Sequence, residues 1–375
     1  GNRTSTTDAA GATTTLTYDE RGNPLSVSDA LDQTTTFTYD AGNRVVTSTT
    51  PTGAVTSDGY DAAGRLTSDT DPDGGVTTYT DDALGRLTST TDALGGQWVQ
   101  EWDALWRVVA TVDPTGARTT YAYNAEDTLE SVTDPLGATT TYTLDGAYRT
   151  VAVTDPLGGQ WASTLDPVGR VLEQTDPSGA QMAYTYDDAG RVTSVVDADG
   201  VEQSYTWDIA GNLTATVDGS GAATTMTYDA LGRPISVTDP DGTTTTQEWN
   251  TAGQVTTVID PLEQESITTY DAIGQITSQT DRTGAESTFA YNADGYLTKA
   301  VDADGVATTF AVDWAGQVLS EEDNAGRAWE TAYDALGRVI SETDPLGGES
   351  TYAWDAAHNL TSVSDPVGNV TSYGW

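Results

Sequence analysis

The stretch YDAAGRLTSDTDPDGGVTTYT, residues 60–80, is one unit of a repeat that runs through the whole chain of 375 residues. Its opening Tyr60-Asp61 step recurs every 21 residues, without an insertion or a deletion, from Tyr18-Asp19 to the end of the sequence. Of the 18 first positions, 14 are Tyr or Trp, and all 17 second positions are Asp or Asn. Self-similarity this strict predicts one continuous array in which each unit packs mainly on its neighbours.

Each unit contains two predicted turns. We number the residues of a unit from its aromatic residue, which is position 0. Position 4 is Gly in 12 of 17 units and position 14 is Gly in 15 of 17. Gly adopts positive φ without strain, so we predict one turn near positions 1–5, the Tyr-Asp turn, and another near positions 11–14, the Asp-Pro turn. Position 11 is Asp in 16 of 17 units, with Thr50 as the exception. Where Trp106, Tyr148 and His358 occupy position 4, we expect distorted or lengthened turns.

Between the turns lie two runs of strand length, typified by residues 35–39 and 66–70. In the first run, Phe37 and Tyr39 share one face and the threonines take the other, a period of two. Tight turns between short strands predict an all-β fold, with about 34 strands in one long antiparallel sheet. A parallel β-helix with coils of about 20 residues is the alternative. It would need stacks of aliphatic side chains, and Leu and Ile are few here.

Contacts between units are predicted at positions 0 and 5. We expect the position 0 rings to stack on one another from unit to unit. Arg at position 5, as in Arg65, should pair with an aspartate at position 1 or 11, or cover a ring face.

A sheet this long is predicted to curl. About 34 strands at ~4.8 Å make a sheet roughly 160 Å wide. Twisted open sheets of more than ~10 strands curl or split. Closed into a single turn, this one would be roughly 50 Å across and would leave a cavity. Because the 21-residue register is unbroken, an open superhelical ribbon is the alternative to a hollow shell.

Composition excludes several classes of function. The net charge of −42 repels phosphate backbones and anionic lipid, so we predict neither nucleic-acid binding nor membrane insertion. There is no Cys, and therefore no disulfide or thiolate chemistry. The many turn aspartates make Ca²⁺ a candidate ligand, but neither the calcium β-roll repeat nor the EF-hand spacing occurs, so no cofactor is predicted. His358 is the only histidine and shows no partners for metal or general-base chemistry. We therefore predict no catalytic residue and no enzyme activity.

The Y-D-x-x-G-R-L core followed by D-x-x-G at this spacing resembles the Rhs, or YD, repeat. Residues 60–66 and 333–339 are full matches, and the resemblance covers the entire chain. The family includes bacterial Rhs and wall-associated polymorphic toxins, cocoon-forming components of insecticidal toxin complexes, and the teneurin adhesion proteins. The residues that carry the repeat signature most fully are Tyr18, Asp19, Gly22, Tyr60, Asp61, Gly64, Arg65, Tyr186, Asp187, Gly190, Arg191, Tyr228, Asp229, Gly232, Arg233, Tyr333, Asp334, Gly337 and Arg338.

This resemblance implies a β-sheet that spirals into a hollow shell around a C-terminal toxin, or around the chain's own C-terminal segment. It implies a structural role in a secreted or surface-displayed bacterial protein, with that C-terminal effector as partner. Residues 1–375 show no C-terminal core segment with an autoproteolytic aspartyl site, no toxin domain and no plug domain. The resemblance therefore assigns neither self-cleavage nor toxicity to any residue of this sequence. We expect residues 1–375 to be a fragment, of about 17 repeats, from a longer repeat region.

A second role implied by the resemblance is extracellular adhesion, through glycans or a cell-surface receptor. Trp98, Trp102 and Trp106 crowd into one unit, and aromatic side chains beside carboxylates can stack on sugars. The simpler interpretation of these three residues is an aromatic patch between neighbouring repeats.

Overall fold

The computed structural model describes residues 2–375, and this part of the protein consists of β-strands and turns without a helix. None of these residues therefore lies in a helix that could cross a membrane. The first half of the strands are β1 Ser5–Thr7, β2 Thr13–Tyr18, β3 Pro24–Ser28, β4 Thr34–Tyr39, β5 Val45–Thr49, β6 Val55–Tyr60, β7 Leu66–Thr70, β8 Val76–Asp81, β9 Leu87–Thr91, β10 Gln97–Trp102, β11 Val108–Val112, β12 Arg118–Tyr123, β13 Leu129–Thr133, β14 Thr139–Leu144, β15 Thr150–Thr154, β16 Gln160–Leu165, β17 Val171–Thr175 and β18 Gln181–Tyr186. The second half are β19 Val192–Val196, β20 Glu202–Trp207, β21 Leu213–Val217, β22 Ala223–Tyr228, β23 Pro234–Thr238, β24 Thr244–Trp249, β25 Val255–Ile259, β26 Glu265–Tyr270, β27 Ile276–Thr280, β28 Glu286–Tyr291, β29 Leu297–Val301, β30 Ala307–Val312, β31 Val318–Glu322, β32 Ala328–Tyr333, β33 Val339–Thr343, β34 Glu349–Trp354, β35 Leu360–Ser364 and β36 Val370–Ser372.

All 36 strands belong to one sheet. Every pairing is antiparallel and joins strands that follow one another in sequence, from β1–β2 through to β35–β36. The predicted all-β array of successive hairpins is confirmed, and the parallel β-helix is excluded. The expected number of about 34 strands omitted the short β1 and β36 at the two ends.

Both turns of the unit have the same backbone geometry. In the Asp-Pro turn at Asp71, the Asp71 amide donates to Gly75 O at 2.9 Å and the Gly74 amide donates to Asp71 O at 3.0 Å. The Asp71 carboxylate accepts from the amides of Asp73 and Gly75. The Tyr-Asp turn at Asp61 repeats all four bonds. This is a type I turn closed by a residue with positive φ, which explains why Asp and Gly recur three residues apart at both turns.

The expectation of distorted or lengthened turns at Trp106, Tyr148 and His358 is wrong. Their φ angles are 69°, 60° and 70°, within the left-handed region that the glycines of other units occupy. Each amide still donates to the turn aspartate, at 3.3, 3.0 and 3.2 Å respectively. A left-handed non-glycine residue costs about 1–2 kcal/mol, and the paired strands on both sides of the turn sustain that cost.

A β-bulge in every Tyr-Asp hairpin accounts for the coiling of the sheet. Gly59 pairs with Ser68 but Tyr60 pairs with Leu66, so one residue is extra on the second strand. The same shift recurs in all 17 Tyr-Asp hairpins. Asp-Pro hairpins such as β7–β8 pair without a shift. A bulge bends a strand and increases its twist, so a row of bulges along one edge bends the sheet repeatedly in one direction.

The coil makes one turn in about 12 repeats. The Asp-Pro turn at Thr50 contacts Asp294, 244 residues later, and the one at Asp73 contacts Trp314, 241 residues later. With two strands per repeat at ~4.8 Å, the coil is ~115 Å around and ~37 Å across. This is narrower than the roughly 50 Å of a single closed turn, because the later repeats begin a second turn. Successive turns touch through their hairpin loops and share no strand pairing, so the sheet is a superhelical ribbon, curled but not closed.

The sheet is one layer thick. Among residues 2–375, Ala110 and Ala152 are the only buried apolar side chains. Both stand at position 8, where Ser89, Ser194 and Ser278 are also buried. Without a second layer there is no conventional core, so stability rests on strand hydrogen bonds and on contacts between neighbouring units.

Candidate functional site

The position 0 aromatics tie each unit to the preceding one through a hydrogen bond. The hydroxyl of Tyr186 donates to Val171 O at 2.7 Å, and the indole Nε1 of Trp207 donates to Val192 O at 2.8 Å. This bond recurs for 13 of the 14 aromatics at position 0. Tyr60 is the exception, with its hydroxyl 3.3 Å from Asp58. The aromatic ladder is therefore a ladder of ring-to-backbone bonds.

The predicted ring-on-ring stacking between units is wrong. Successive position 0 residues lie two strands apart, about 9.6 Å, whereas aromatic pairs contact at about 4.5–7 Å between centroids. The only aromatic pair among residues 2–375 is Trp98 with His358, which lies outside this ladder.

Arginine fills the gap between successive rings. Arg65 Nε donates to Asp61 Oδ2 of its own unit at 2.7 Å, and its Nη1 donates to the backbone oxygen of Asp82 in the next unit at 3.3 Å. The guanidinium carbon of Arg107, in the unit that begins at Trp102, lies 4.8 Å from the ring centroid of Tyr123, one unit further on. The sequence predicted that this arginine pairs with an aspartate at position 1 or 11, or covers a ring face. In the structure it pairs with the position 1 aspartate and also contacts the ring face of the next unit. We call the aromatic, aspartate and arginine together the clamp.

The residues of the predicted repeat signature lie in these clamps and in their turns. Tyr18, Tyr228 and Tyr333 make the ring-to-backbone bond, as Tyr186 does. The glycines all have positive φ, namely Gly22, Gly64, Gly190, Gly232 and Gly337. The aspartates accept from their own turn amides, namely Asp19, Asp61, Asp187, Asp229 and Asp334. Arg191, Arg233 and Arg338 donate to the aspartate of their own unit.

The clamp aspartates are ionised at neutral pH. The Arg44 guanidinium, followed by the Arg44 amide, holds the pKa of Asp40 below its usual value of 3.8. At Asp61 the Arg65 amide makes the largest contribution to a lowered pKa and the guanidinium the next. A carboxylate held this way is a poor proton carrier near pH 7. Residues 2–375 also contain no group of three or more His, Asp or Glu side chains that could hold a metal ion.

A second feature is the seam, where Asp-Pro turns of the first coil turn meet Tyr-Asp turns of the second. The Asp294 carboxylate accepts from the Thr50 hydroxyl at 2.9 Å, from the Thr52 amide at 3.1 Å and from the Thr52 hydroxyl. Trp314 Nε1 donates to Asp73 Oδ2 at 2.7 Å. These contacts hold successive turns of the ribbon edge to edge.

The lone histidine also lies in the seam. His358 Nε2 is 3.3 Å from Asp92 Oδ2, and the Trp98 ring meets the imidazole edge to face with centroids 6.0 Å apart. The partner of His358 is thus 266 residues away in sequence. No pattern of spacing along the chain could have pointed to it.

Known protein families match nearly the whole array. The model of the Teneurin YD-shell matches residues 9–205, and that of the RHS Repeat matches residues 186–225, 228–264, 270–307, 315–349 and 333–370. The chain belongs to the Rhs/YD-shell family. No curated protein matches this YD shell.

Solved toxin-complex structures share the fold of this YD shell. TcdB2-TccC3-TEV is 15% identical in sequence with a TM-score of 0.71, and the matched region covers 95% of this chain and 25% of that one. TcdB2-TccC3 without its hypervariable C-terminal region is 16% identical with a TM-score of 0.72, at 95% and 24% coverage. The Tc holotoxin pore of Photorhabdus luminescens is 15% identical with a TM-score of 0.71, at 95% and 24% coverage. The YD shell thus spans about a quarter of the length of these chains, and at such identities the likeness concerns the fold alone.

The seam of this YD shell coincides with departures from the repeat. Across the 17 units, Thr50 is the only residue other than aspartate at position 11. Asp294 is the only aspartate at position 3, and Trp314 is the only aromatic residue at position 2. An aspartate at residue 50 would put a second carboxylate against Asp294, which explains the exception. Sequence reasoning noted Thr50 and His358 as irregular but missed Asp294 and Trp314. The signal available in the sequence was that Asp294 and Trp314 each depart from the repeat consensus at their position.

The three tryptophans proposed for glycan stacking have three different environments in the YD shell. Trp98 lies at the seam, and Trp102 Nε1 donates to Leu87 O at 2.8 Å in the aromatic ladder. Trp106 is 56% exposed at a turn tip, where it shares the Arg86 guanidinium with Trp102. All three rings thus make a contact within the fold. Glycan stacking stays a prediction, and Trp106 is the ring most open to a ligand.

Proposed function

We propose that this YD shell is a non-enzymatic wall that encapsulates or presents a C-terminal effector of the protein to which it belongs. The observation that carries the proposal is the seam, which joins successive turns of the coil edge to edge. Along each turn the wall is continuous because every strand is hydrogen-bonded to the next. Subtracting a wall about 10 Å thick from the ~37 Å coil leaves a lumen roughly 27 Å wide.

The comparisons support a wall next to a variable C-terminal region. The similar structures are named as TcdB2-TccC3 with TEV, with Cdc42, or without a hypervariable C-terminal region. The clamp chemistry supports a structural role, since its aspartates are occupied by turn amides and arginine. We propose that the protein acts outside the bacterial cell, secreted or at the cell surface, as a toxin of this shell type would.

Limited proteolysis tests encapsulation. The full-length protein, with whatever segment follows the repeats, is digested beside the same segment expressed alone. We expect the segment to resist cleavage in the intact protein and to become sensitive when Thr50→Asp opens the seam. Equal cleavage of the segment with and without the array would contradict a containing wall.

The second candidate function is glycan-dependent adhesion, favoured by the exposed ring of Trp106 beside Arg86. Stacking on a sugar would make binding saturable and dependent on that ring. We expect Trp106→Ala to abolish binding on a glycan array, while Trp102→Phe, within the ladder, serves as control. Binding that survives Trp106→Ala would exclude this site.

A further inference from the structure

The backbone of the ribbon does not by itself determine which turns meet at the seam. Both kinds of turn keep the same backbone hydrogen bonds in every unit, and among residues 2–375 successive turns of the coil share no strand pairing. At about 12 repeats per turn of the coil, each repeat contributes ~30° of curvature, and one repeat more or fewer changes that by only ~2.5°. The twist between neighbouring strands of sheets varies from about 10° to about 35°. Curvature therefore brings the two edges together but leaves the register free to shift by one repeat either way.

The carboxylate of Asp294 distinguishes the observed register from its neighbours. It docks on the turn that begins at Thr50, where the hydroxyls of Thr50 and Thr52 and the Thr52 amide donate to it. This turn carries no carboxylate, whereas the turns on either side, at residues 29–33 and 71–75, carry two each. A shift of one repeat in either direction would therefore replace three donors by two like charges.

The indole of Trp314 discriminates between registers in the same way. Its Nε1 donates to Asp73 Oδ2 at 2.7 Å, which joins position 2 of a Tyr-Asp turn to position 13 of an Asp-Pro turn. Position 13 of the two neighbouring Asp-Pro turns is Thr52 and Leu94. A shift of one repeat would replace the charged acceptor by a hydroxyl in one direction, and in the other direction it would put an aliphatic side chain against the indole N–H. Asp294 and Trp314 therefore favour the same register.

We propose that two pairs, Asp294 with Thr50 and Trp314 with Asp73, form a register key that sets the number of repeats in each turn of the coil. The paired residues are 244 and 241 positions apart in sequence. Three of the four are single departures from the repeat, and both kinds of turn form elsewhere with consensus residues. The turns themselves therefore do not require these departures, whereas a unique register does.

The register key determines the width of the coil. Each repeat adds ~9.6 Å to the circumference, so one repeat more or fewer changes the diameter by ~3 Å. The key thus holds the lumen at roughly 27 Å. The use of this control for enclosing an effector rests on the proposed wall, whereas the register itself does not.

Moving the key along the chain tests the proposal. The transplant variant carries Ile273→Asp, Asp294→Ala, Ala293→Trp and Trp314→Ala, which places the same two side chains one repeat earlier. The keyless variant carries only Asp294→Ala and Trp314→Ala. Its turns still form, because other units have alanine at both positions, as at residues 62–63.

The matched control carries Ala230→Trp and Leu231→Asp, at a Tyr-Asp turn of the first coil turn. It introduces the same two side chains at the same positions of a unit but leaves the key intact. Thermal denaturation followed by circular dichroism checks that all variants are folded.

Spin labels placed along the seam measure the register. Thr78 in β8 and Ala290 in β28 are exposed and 20 strands apart along the sheet, and the chain has no Cys to compete for the labels. With about 24 strands per turn of the coil, the two sites lie about four strands apart along the seam. Moving the key one repeat earlier brings them ~9.6 Å closer in that direction.

We expect one narrow distance shared by the wild type and the matched control, one shorter distance in the transplant variant, and several distances in the keyless variant. If the transplant or the keyless variant keeps only the wild-type distance, curvature alone sets the register and the proposal is overturned. The measurement uses no effector, so its failure is distinct from a failure of encapsulation.

Discussion

Replacing Thr50 by aspartate restores the repeat consensus, yet we expect it to open the seam. In all other units but that of Asp239, the position 11 aspartate accepts from two amides of its own turn, as Asp71 does. At residue 50 the same carboxylate would stand where the Thr50 hydroxyl now donates to Asp294 at 2.9 Å. Thr50→Asp therefore improves the local turn and places two carboxylates in contact across the seam.

The magnitude follows from three contributions. The lost hydrogen bond to Asp294 costs about 1 kcal/mol, and the gained turn bonds return about 1 kcal/mol. Two like charges 4 Å apart repel by about 1 kcal/mol in water and about 4 kcal/mol at an effective dielectric constant of 20. The seam is partly buried there, so we expect a net loss of about 2 kcal/mol, which corresponds to about 30-fold more opening.

Spin labels across the seam measure this opening. The chain has no Cys, so single cysteines at Thr36 and Ala290, exposed strand residues on opposite sides of the seam, take the labels specifically. We expect one narrow distance in the wild type and a second, longer population in Thr50→Asp that diminishes with salt. Thr50→Asn is the control, since it has the same shape without the charge and should keep the wild-type distance. Equal opening in the Asn and Asp variants would refute the electrostatic argument.

Three further predictions concern the clamp and the turns. Tyr186→Phe removes the 2.7 Å bond to the preceding unit and should cost about 1 kcal/mol in thermal denaturation followed by circular dichroism, whereas Tyr60→Phe, whose hydroxyl makes no such bond, should cost little. Trp106→Gly relieves a φ of 69° and should stabilise the array by about 1 kcal/mol, whereas Gly190→Val, at a φ of 82°, should cost about 1–3 kcal/mol; equal tolerance of the two would count against the turn assignment. The lowered pKa values of the clamp aspartates mean that their contribution to stability is present above about pH 4 and is lost as the pH falls through the folded pKa. Melting temperatures measured from pH 7 to about pH 2 should therefore decline only below about pH 4, and a flat profile down to pH 2 would contradict this.

Much of this protein was predictable from the sequence because the information is local. A carboxylate that caps its own turn and a residue with positive φ three positions later specify a turn within five residues, as at residues 71–75. Alternation of apolar and polar residues then specifies each strand and its hairpin partner. The all-β meander and the pairing of Arg65 with Asp61 follow from those short spacings.

The curvature of the coil was decided only by the tertiary structure. Each bulge bends the sheet slightly, and the bends accumulate over about 24 strands before one turn meets another. Which turns meet therefore depends on a sum of small angles that no single unit encodes. For this reason the contacts of Thr50 with Asp294 and of His358 with Asp92 could not be inferred from sequence spacing. The same holds for the ladder, where the two-strand separation of the rings, rather than their regular recurrence, determines that arginine and not another ring lies between them, as Arg107 does between Trp102 and Tyr123.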